Sequence, residues 1–137
     1  MIIKSFLEHS VTELIKSELK RWKAELGINS CDINTGDCFV FAEIMEGILR
    51  SNGYSNVEVL TTDLFYNLAN KNEYTEDEYN EIWYKESDYN SFKPDGFIWP
   101  EWGFHGWLYV NGKHYDADEV NGVKSFYDLP IFKRFIK

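Results

Sequence analysis

Apolar side chains between residues 11 and 26 recur every three or four positions, with some intervals doubled. This spacing places them along one face of an α-helix. Ser10 followed by Glu13 forms a capping-box pattern at the start, and Gly27 can adopt the left-handed conformation that ends a helix. The sequence therefore predicts an amphipathic helix over residues 11–26.

A second helical stretch covers residues 37–50 and contains few polar positions. Thr35 or Asp37 is suited to cap its start, and Asn52-Gly53 favours a stop directly after it. A helix that is apolar on most sides needs partners around it. We therefore expect this helix at the centre of the fold.

The second half of the chain carries strand patterns. Residues 57–60 alternate and are rich in β-branched side chains, which predicts a short strand. Residues 105–110 and 113–118 flank Asn111-Gly112, a dipeptide that favours a type I′ turn, so they predict a β-hairpin. Helices first and strands afterwards indicate an α+β fold in which the central helix packs on an antiparallel sheet.

Residues 71–93 differ in composition from the rest of the chain. They contain seven acidic and three basic residues, interleaved with aromatic side chains. A flexible linker would carry fewer aromatic residues. We interpret the stretch as an acidic, aromatic-rich insertion on the surface of a single domain that spans residues 1–137.

Composition narrows the possible functions. The formal net charge of −9 argues against a general binder of nucleic acid or anionic membranes. No apolar run approaches the ~20 residues that span a bilayer, and charges interrupt the first residues too early for a signal peptide. Two cysteines cannot form a disulfide framework, so we expect a cytoplasmic protein. The common nucleotide-, dinucleotide- and zinc-binding motifs are absent from the sequence, so neither a cofactor nor a metal is predicted.

One cysteine occupies an informative position. Cys38 falls in the first turn of the predicted central helix, where unpaired N–H groups and the helix dipole favour a thiolate. The same N–H groups can donate to the oxygen of a tetrahedral intermediate, and Gly36 leaves space for a substrate. Asp37 opposes the thiolate slightly, because a neighbouring negative charge raises the pKa of a thiol. Cys31 is expected to be a loop thiol.

The hairpin supplies a base for this thiol. With Asn111-Gly112 as the two-residue loop, the register puts His105 opposite Asp118. Asp116 lies on the diagonal, and either carboxylate is close enough to orient the imidazole. A nucleophile at a helix start, an imidazole on one strand and a carboxylate on the next form a Cys-His-Asp arrangement. His114 projects from the same face, and we interpret it as structural or substrate-facing.

These residues resemble a family pattern. Gly-Asp-Cys38-Phe-Val-Phe-Ala at the start of a buried helix is similar to the nucleophile helix of the transglutaminase-like and papain-like cysteine enzymes. The stretch from His105-Gly-Trp to Tyr-Asp116-Ala resembles their histidine strand, short turn and aspartate strand. The order Cys, His, Asp is the transglutaminase-like order. The resemblance covers residues 36–53 and 104–118, and the small, acidic chain suggests a bacterial or phage-type member.

The resemblance implies a fold and a reaction. The fold is the transglutaminase/papain-like arrangement, and the reaction is attack of Cys38 on an amide carbonyl to form a thioester. His105 takes and returns the proton, and the catalytic carboxylate maps onto Asp116 better than onto Asp118. Peptidase, amidase, deamidase and transglutaminase activities all use this chemistry, so the implied partner is a protein, peptide or amide substrate.

The donor that stabilises the oxyanion is left open by the sequence. Papain-like enzymes carry a glutamine six residues before the cysteine, where this chain has Asp32. Asn29, Asn34 or Trp102 is the candidate replacement. The residues expected to contact a substrate are Gly36, Trp102 and Trp107.

A function of a different class also fits the composition. An acidic, aromatic surface suits binding of a basic partner, for example by mimicking nucleic acid. The chain would then be a non-catalytic interaction or inhibitor protein on an enzyme-like fold. Such a protein has no need for an activated Cys38, so thiol reactivity separates the two interpretations.

Overall fold

The computed structural model describes residues 9–69, 85–98 and 104–134. Most of the acidic stretch at 71–93, together with Trp102, lies outside the described residues, so what the sequence predicts for them stays a prediction. Within the described part, helices and a four-stranded antiparallel sheet form an α+β fold, as expected. None of the described helices is both long and apolar enough to cross a membrane.

Helix α1, Val11–Leu26, is the first described helix and matches the predicted one. Ser10 and Glu13 exchange side-chain-to-backbone hydrogen bonds as a capping box. Gly27 ends the helix in the left-handed conformation, with a φ of 67°. The start and stop signals that the sequence predicts for α1 are therefore confirmed.

Helix α2, Cys38–Ser51, is the predicted central helix, but the chain enters it in an unexpected way. A single α-helical turn at Ser30–Asp32 leads into a π-helical turn at Ile33–Asp37, which we call the π-turn. π-Helical turns are rare and frequently occur at functional sites. The open helix end that the sequence predicts is therefore replaced by the π-turn.

The predicted caps of α2 are wrong. Asp37 makes no side-chain hydrogen bond at the helix start, and the Thr35 hydroxyl donates to the backbone carbonyl of Asp32. Cys31, expected in a loop, is exposed on the short helical turn instead. The reason lies upstream, because Asn29 caps that turn by exchanging hydrogen bonds with Asp32. The chain is thus already helical when it reaches Asp37.

The sheet contains four antiparallel strands, and their spatial order follows their order along the chain. The two strands of the predicted hairpin, β2 and β3, therefore form its centre. The strands are β1 Val57–Thr61, β2 Gly106–Val110, β3 Lys113–Asp116 and β4 Glu119–Val123. The remaining helices of the described residues are α3 Thr62–Ala69 and α4 Pro130–Lys133, with 3₁₀ turns at Glu86–Tyr89 and Phe126–Asp128.

The hairpin register that the sequence predicts is confirmed. Tyr109 pairs with His114, and the turn residues Asn111-Gly112 have positive φ values of 48° and 85°. The second strand is shorter than the predicted span of 113–118. It ends at Asp116, where the chain turns into β4, a strand that the sequence pattern does not predict.

Successive residues of β2 point to opposite faces of the sheet and enter two different apolar cores. Leu108 packs in the core that contains Phe41 and Met45 of α2. Trp107 packs in a second, aromatic core with Phe65 and residues near the end of the described chain. The candidate site lies between these two cores, at the end of the central strands where α2 begins.

Candidate active site

Three of the predicted site residues meet where α2 begins beside the sheet. Cys38 is the first residue of α2, His105 directly precedes β2, and Asp116 is the last residue of β3. The backbones of β2 and α2 approach closely at Gly106, because a Cβ there would lie 3.1 Å from the Cα of Phe39. This approach brings the strand that follows His105 next to the candidate nucleophile.

His105 and Asp116 form a buried pair. Nε2 of His105 lies 3.0 Å from Oδ2 of Asp116, and the two residues are 0% and 4% exposed. The other carboxylate oxygen of Asp116 accepts a hydrogen bond from the backbone N–H of Asp118 at 2.9 Å, in an Asx-type turn that ends β3. The Thr62 hydroxyl accepts from the backbone N–H of His105 and fixes the chain there. The contact that the sequence predicts between His105 and Asp116 is therefore present.

The sulfur of Cys38 lies among hydrogen-bond donors. The backbone N–H of Gly106 donates to Sγ at 3.4 Å, and the backbone amide of Phe39 also favours the thiolate. Nε2 of His105 is occupied by Asp116, whereas Nδ1 has no hydrogen-bond partner among the described residues. Nδ1 is therefore the ring atom left to exchange a proton with Cys38.

The ionisations of Cys38 and His105 support each other. Burial has the largest influence on the pKa of the Cys38 thiol and raises it, but His105 and the Gly106 N–H outweigh burial and bring this pKa below its ordinary value. Burial also lowers the pKa of His105, yet Asp116 and Cys38 more than compensate, so this pKa lies above 6.5. The two shifts favour a thiolate–imidazolium pair.

Gly106 is a site residue that the sequence reasoning missed. Gly106 contributes only a backbone N–H and the space left by its missing side chain, whereas sequence motifs identify functional side chains. The available signal is an isolated glycine inside the strand pattern between His105 and Trp107. Such a glycine indicates that another part of the backbone or a ligand approaches closely.

Asp118, the alternative carboxylate, binds Asn34 rather than His105. It is exposed, and its Oδ2 accepts a hydrogen bond from Nδ2 of Asn34 at 2.9 Å. Two of the three candidate oxyanion donors are therefore engaged elsewhere, since Asn34 binds Asp118 and Asn29 caps the short helical turn. The third, Trp102, lies outside the described residues.

The expectation that Trp107 contacts a substrate is wrong, because its side chain is fully buried. Its indole ring instead stacks on the imidazole of His105, with centroids 5.8 Å apart and an interplanar angle of 15°. Trp107 therefore packs against one face of the His105 ring and holds it in place. Gly36, by contrast, is exposed on the π-turn and has open space where a Cβ would lie.

The contacts of His114, the second histidine of the hairpin, indicate a structural role. Nδ1 of His114 accepts a hydrogen bond from Nε1–H of Trp107 at 2.9 Å, so the remaining proton is on Nε2, which donates to the carbonyl of Tyr89 at 2.7 Å. Burial lowers the pKa of His114 to about 4. His114 is therefore neutral at physiological pH.

A cleft of about 340 Å³ adjoins the site and is lined by Asn34, Thr35, Phe104, Ile131 and Arg134. Cys38 itself is only 6% exposed and borders a void too small for a water molecule. Among the described residues, no group of three or more His, Cys, Asp and Glu side chains is arranged to hold a metal ion.

No family model, curated protein or solved structure matches this chain.

Proposed function

We propose that this protein is a cysteine-dependent hydrolase or acyltransferase that acts on an amide through a thioester at Cys38, within a transglutaminase/papain-like arrangement. The observation that carries the proposal is the buried 3.0 Å contact between Nε2 of His105 and Oδ2 of Asp116. This contact leaves Nδ1 for Cys38, which is the division of roles that a Cys-His-Asp triad needs.

A purely structural role explains this arrangement poorly. Burying a histidine, a carboxylate and a thiol together removes them from water, and apolar residues of similar volume often stabilise a core at least as well. A buried imidazole can also remain neutral with neutral partners, as His114 does. A catalytic role therefore explains the charged partners of His105 better than a contribution to the stability of the fold does.

The reaction follows from the groups present. The Cys38 thiolate attacks the carbonyl carbon of the amide, and the resulting tetrahedral intermediate collapses as the C–N bond breaks. The imidazolium of His105 gives its Nδ1 proton to the leaving amine, and Asp116 keeps the other proton on Nε2. In the second half, neutral His105 takes a proton from water or from an acceptor amine, which attacks the thioester and releases Cys38.

The test uses a small acyl donor, so that it does not require the natural substrate. Incubation with p-nitrophenyl acetate should add one acetyl group to Cys38 and none to Cys31, as read by intact and peptide mass spectrometry. The acetyl group should be lost on further incubation, and transfer to an added amine would distinguish acyl transfer from hydrolysis. His105→Ala should abolish the acetylation at neutral pH.

Acetylation of Cys31 and Cys38 at equal rates, or no effect of His105→Ala, would contradict the proposal. That outcome would favour the alternative of a non-catalytic interaction protein, for which the acidic composition is the supporting observation.

A further inference from the structure

A side-chain hydrogen bond joins the π-turn to the turn that carries the catalytic carboxylate. Nδ2 of Asn34 donates to Oδ2 of Asp118 at 2.9 Å, across 84 positions of sequence. Asn34 lies four residues before Cys38, and the backbone N–H of Asp118 holds Oδ1 of Asp116. The bond therefore connects the segment that leads to the nucleophile with the segment that ends at the carboxylate.

The orientation of the Asn34 amide follows from its partner. An ionised carboxylate only accepts hydrogen bonds, so the NH₂ group of Asn34 must face Asp118. Its carbonyl oxygen is then buried and has no hydrogen-bond partner among the described residues. Leaving a buried acceptor unpaired lowers the stability of the fold. Asn34 is thus held in this position at a cost to stability, which indicates that the position matters for another reason.

We propose that Asn34 and Asp118 are positioning residues for the triad, and that their hydrogen bond fixes the distance between Cys38 and the His105–Asp116 pair. The inference rests on the proposed function, because it assigns Asp118 a part in the same site. Asp118 acts through its side-chain link to the π-turn and does not substitute for Asp116.

The need for such a link follows from the local structure. The π-turn brings no side-chain cap to the start of α2, and Gly36 within it makes no contact at its Cβ position. β3 ends at Asp116, and the turn beyond it is closed by the pairing of Asp116 with Glu119 of β4, but neither this pairing nor the pairing with β2 ties the turn to the π-turn. The hydrogen bond between Asn34 and Asp118 braces these two segments against each other.

The experiment measures the rate of Cys38 alkylation by iodoacetamide from pH 5 to pH 9 in single and double variants. Asp118→Ala and Asn34→Ala remove the bond, whereas Asp118→Asn keeps an oxygen that accepts from Asn34. Asp95→Ala, at an exposed turn, is the matched control for loss of a surface carboxylate. Thermal unfolding of each variant shows whether the fold is retained.

We expect Asp118→Ala and Asn34→Ala each to slow alkylation about tenfold at neutral pH and to shift the acid limb of the profile upwards, as loss of one charge-assisted hydrogen bond predicts. The double variant should be no slower than either single variant, because both remove the same bond. Asp118→Asn and Asp95→Ala should keep the wild-type profile. Asp118 is exposed, so its variants test the inference even if Asn34→Ala fails to fold.

Three results would overturn the inference alone: a wild-type profile in Asp118→Ala, additive effects in the double variant, or equal losses in Asp118→Asn and Asp118→Ala. A wild-type Cys38 that reacts no faster than Cys31 would overturn the proposed function together with the inference. The two failures are therefore distinguishable in one data set.

Discussion

His105 and His114 lie near opposite ends of the same two central strands, and both are fully buried. Each contacts the ring of Trp107, and hydrogen bonds fix the orientation of each ring, through Nε2 alone in His105 and through both nitrogens in His114. The partners differ in charge. His105 binds the carboxylate of Asp116, whereas His114 binds an indole N–H and a backbone carbonyl.

The two environments move the two pKa values in opposite directions. Burial opposes the charged form of both rings, and at His114 it prevails, so the pKa falls to about 4. At His105 the hydrogen bond to Asp116 and the charges of Asp116 and Cys38 overcome burial and raise the pKa. Burial alone therefore does not determine the charge of a histidine, because one carboxylate and one thiolate reverse its effect on the pKa.

The largest expected effect comes from making the partners of His105 neutral. Asp116→Asn should slow alkylation of Cys38 at neutral pH by roughly 10²- to 10⁴-fold, because the amide loses the charge and favours the wrong tautomer. Rates are measured by mass spectrometry of the Cys38 peptide. Asp118→Asn is the control and should cost much less. Comparable losses in both variants would contradict the assignment of Asp116.

The hydrogen bonds of His114 can be broken without changing a residue of the triad. His114→Leu leaves the Nε1–H of Trp107 unpaired in a dry core, while the carbonyl of Tyr89 keeps its hydrogen bond from the Ser91 hydroxyl, so the free energy of unfolding should fall by about 1–3 kcal/mol. Urea denaturation measures this loss. Cys38 alkylation per folded molecule should stay within about threefold of wild type, since His114 takes no part in the proton transfer.

The lowered pKa of His114 also predicts how stability depends on pH. Above 6.5 the ring is neutral in both the folded and the unfolded chain, whereas between 6.5 and about 4 only the unfolded chain binds the proton. Stability should therefore fall as the pH drops through this window, by about 3 kcal/mol in total. The difference between wild type and His114→Gln, followed by urea denaturation at pH 7 and pH 4, isolates this contribution from that of the carboxylates. Parallel losses in both proteins would contradict the neutral assignment.

The smallest effects concern the glycines of the site and of α2. A Cβ at Gly106 would press on the backbone of Phe39, so Gly106→Ala should destabilise the protein by about 1–3 kcal/mol and slow alkylation of Cys38. Gly47→Ala is the matched control, because Gly47 lies in α2 with open space around it. It should stabilise the protein by about 0.5–1 kcal/mol. Equal shifts of the melting temperature in the two variants would show that the close approach to Phe39 does not exclude a Cβ at Gly106.

The elements that were predicted from sequence are those with local signals. Ser10 and Gly27 delimit α1 through hydrogen bonds that close within a few residues. Asn111-Gly112 set the hairpin register, and this register alone places Asp116 within reach of His105. The hairpin register therefore converts the order of Cys, His and Asp along the chain into a predicted contact between His105 and Asp116.

The features that were missed depend on distant partners. The π-turn is tied by Asn34 to Asp118, which lies far along the chain, so no local pattern reports it. β4 is half-buried and lacks strict alternation, and Gly122 within it is packed against the ring of Tyr115. The burial of Trp107 follows from the aromatic core on the far face of the sheet, which sequence spacing does not reveal.

The central claim is that His105 is charged beside a Cys38 thiolate while His114 is neutral. Nitrogen-15 NMR of the imidazole rings, recorded as a pH titration on the wild type and on Cys38→Ala, tests it directly. We expect His105 to titrate with a pKa above that of an ordinary imidazole, whereas His114 stays neutral, protonated on Nε2, down to about pH 4. In Cys38→Ala the pKa of His105 should fall, because the thiolate that supports its charge is gone. A His105 pKa at or below that of an ordinary imidazole, or a titration that is identical in the two proteins, would contradict the claim.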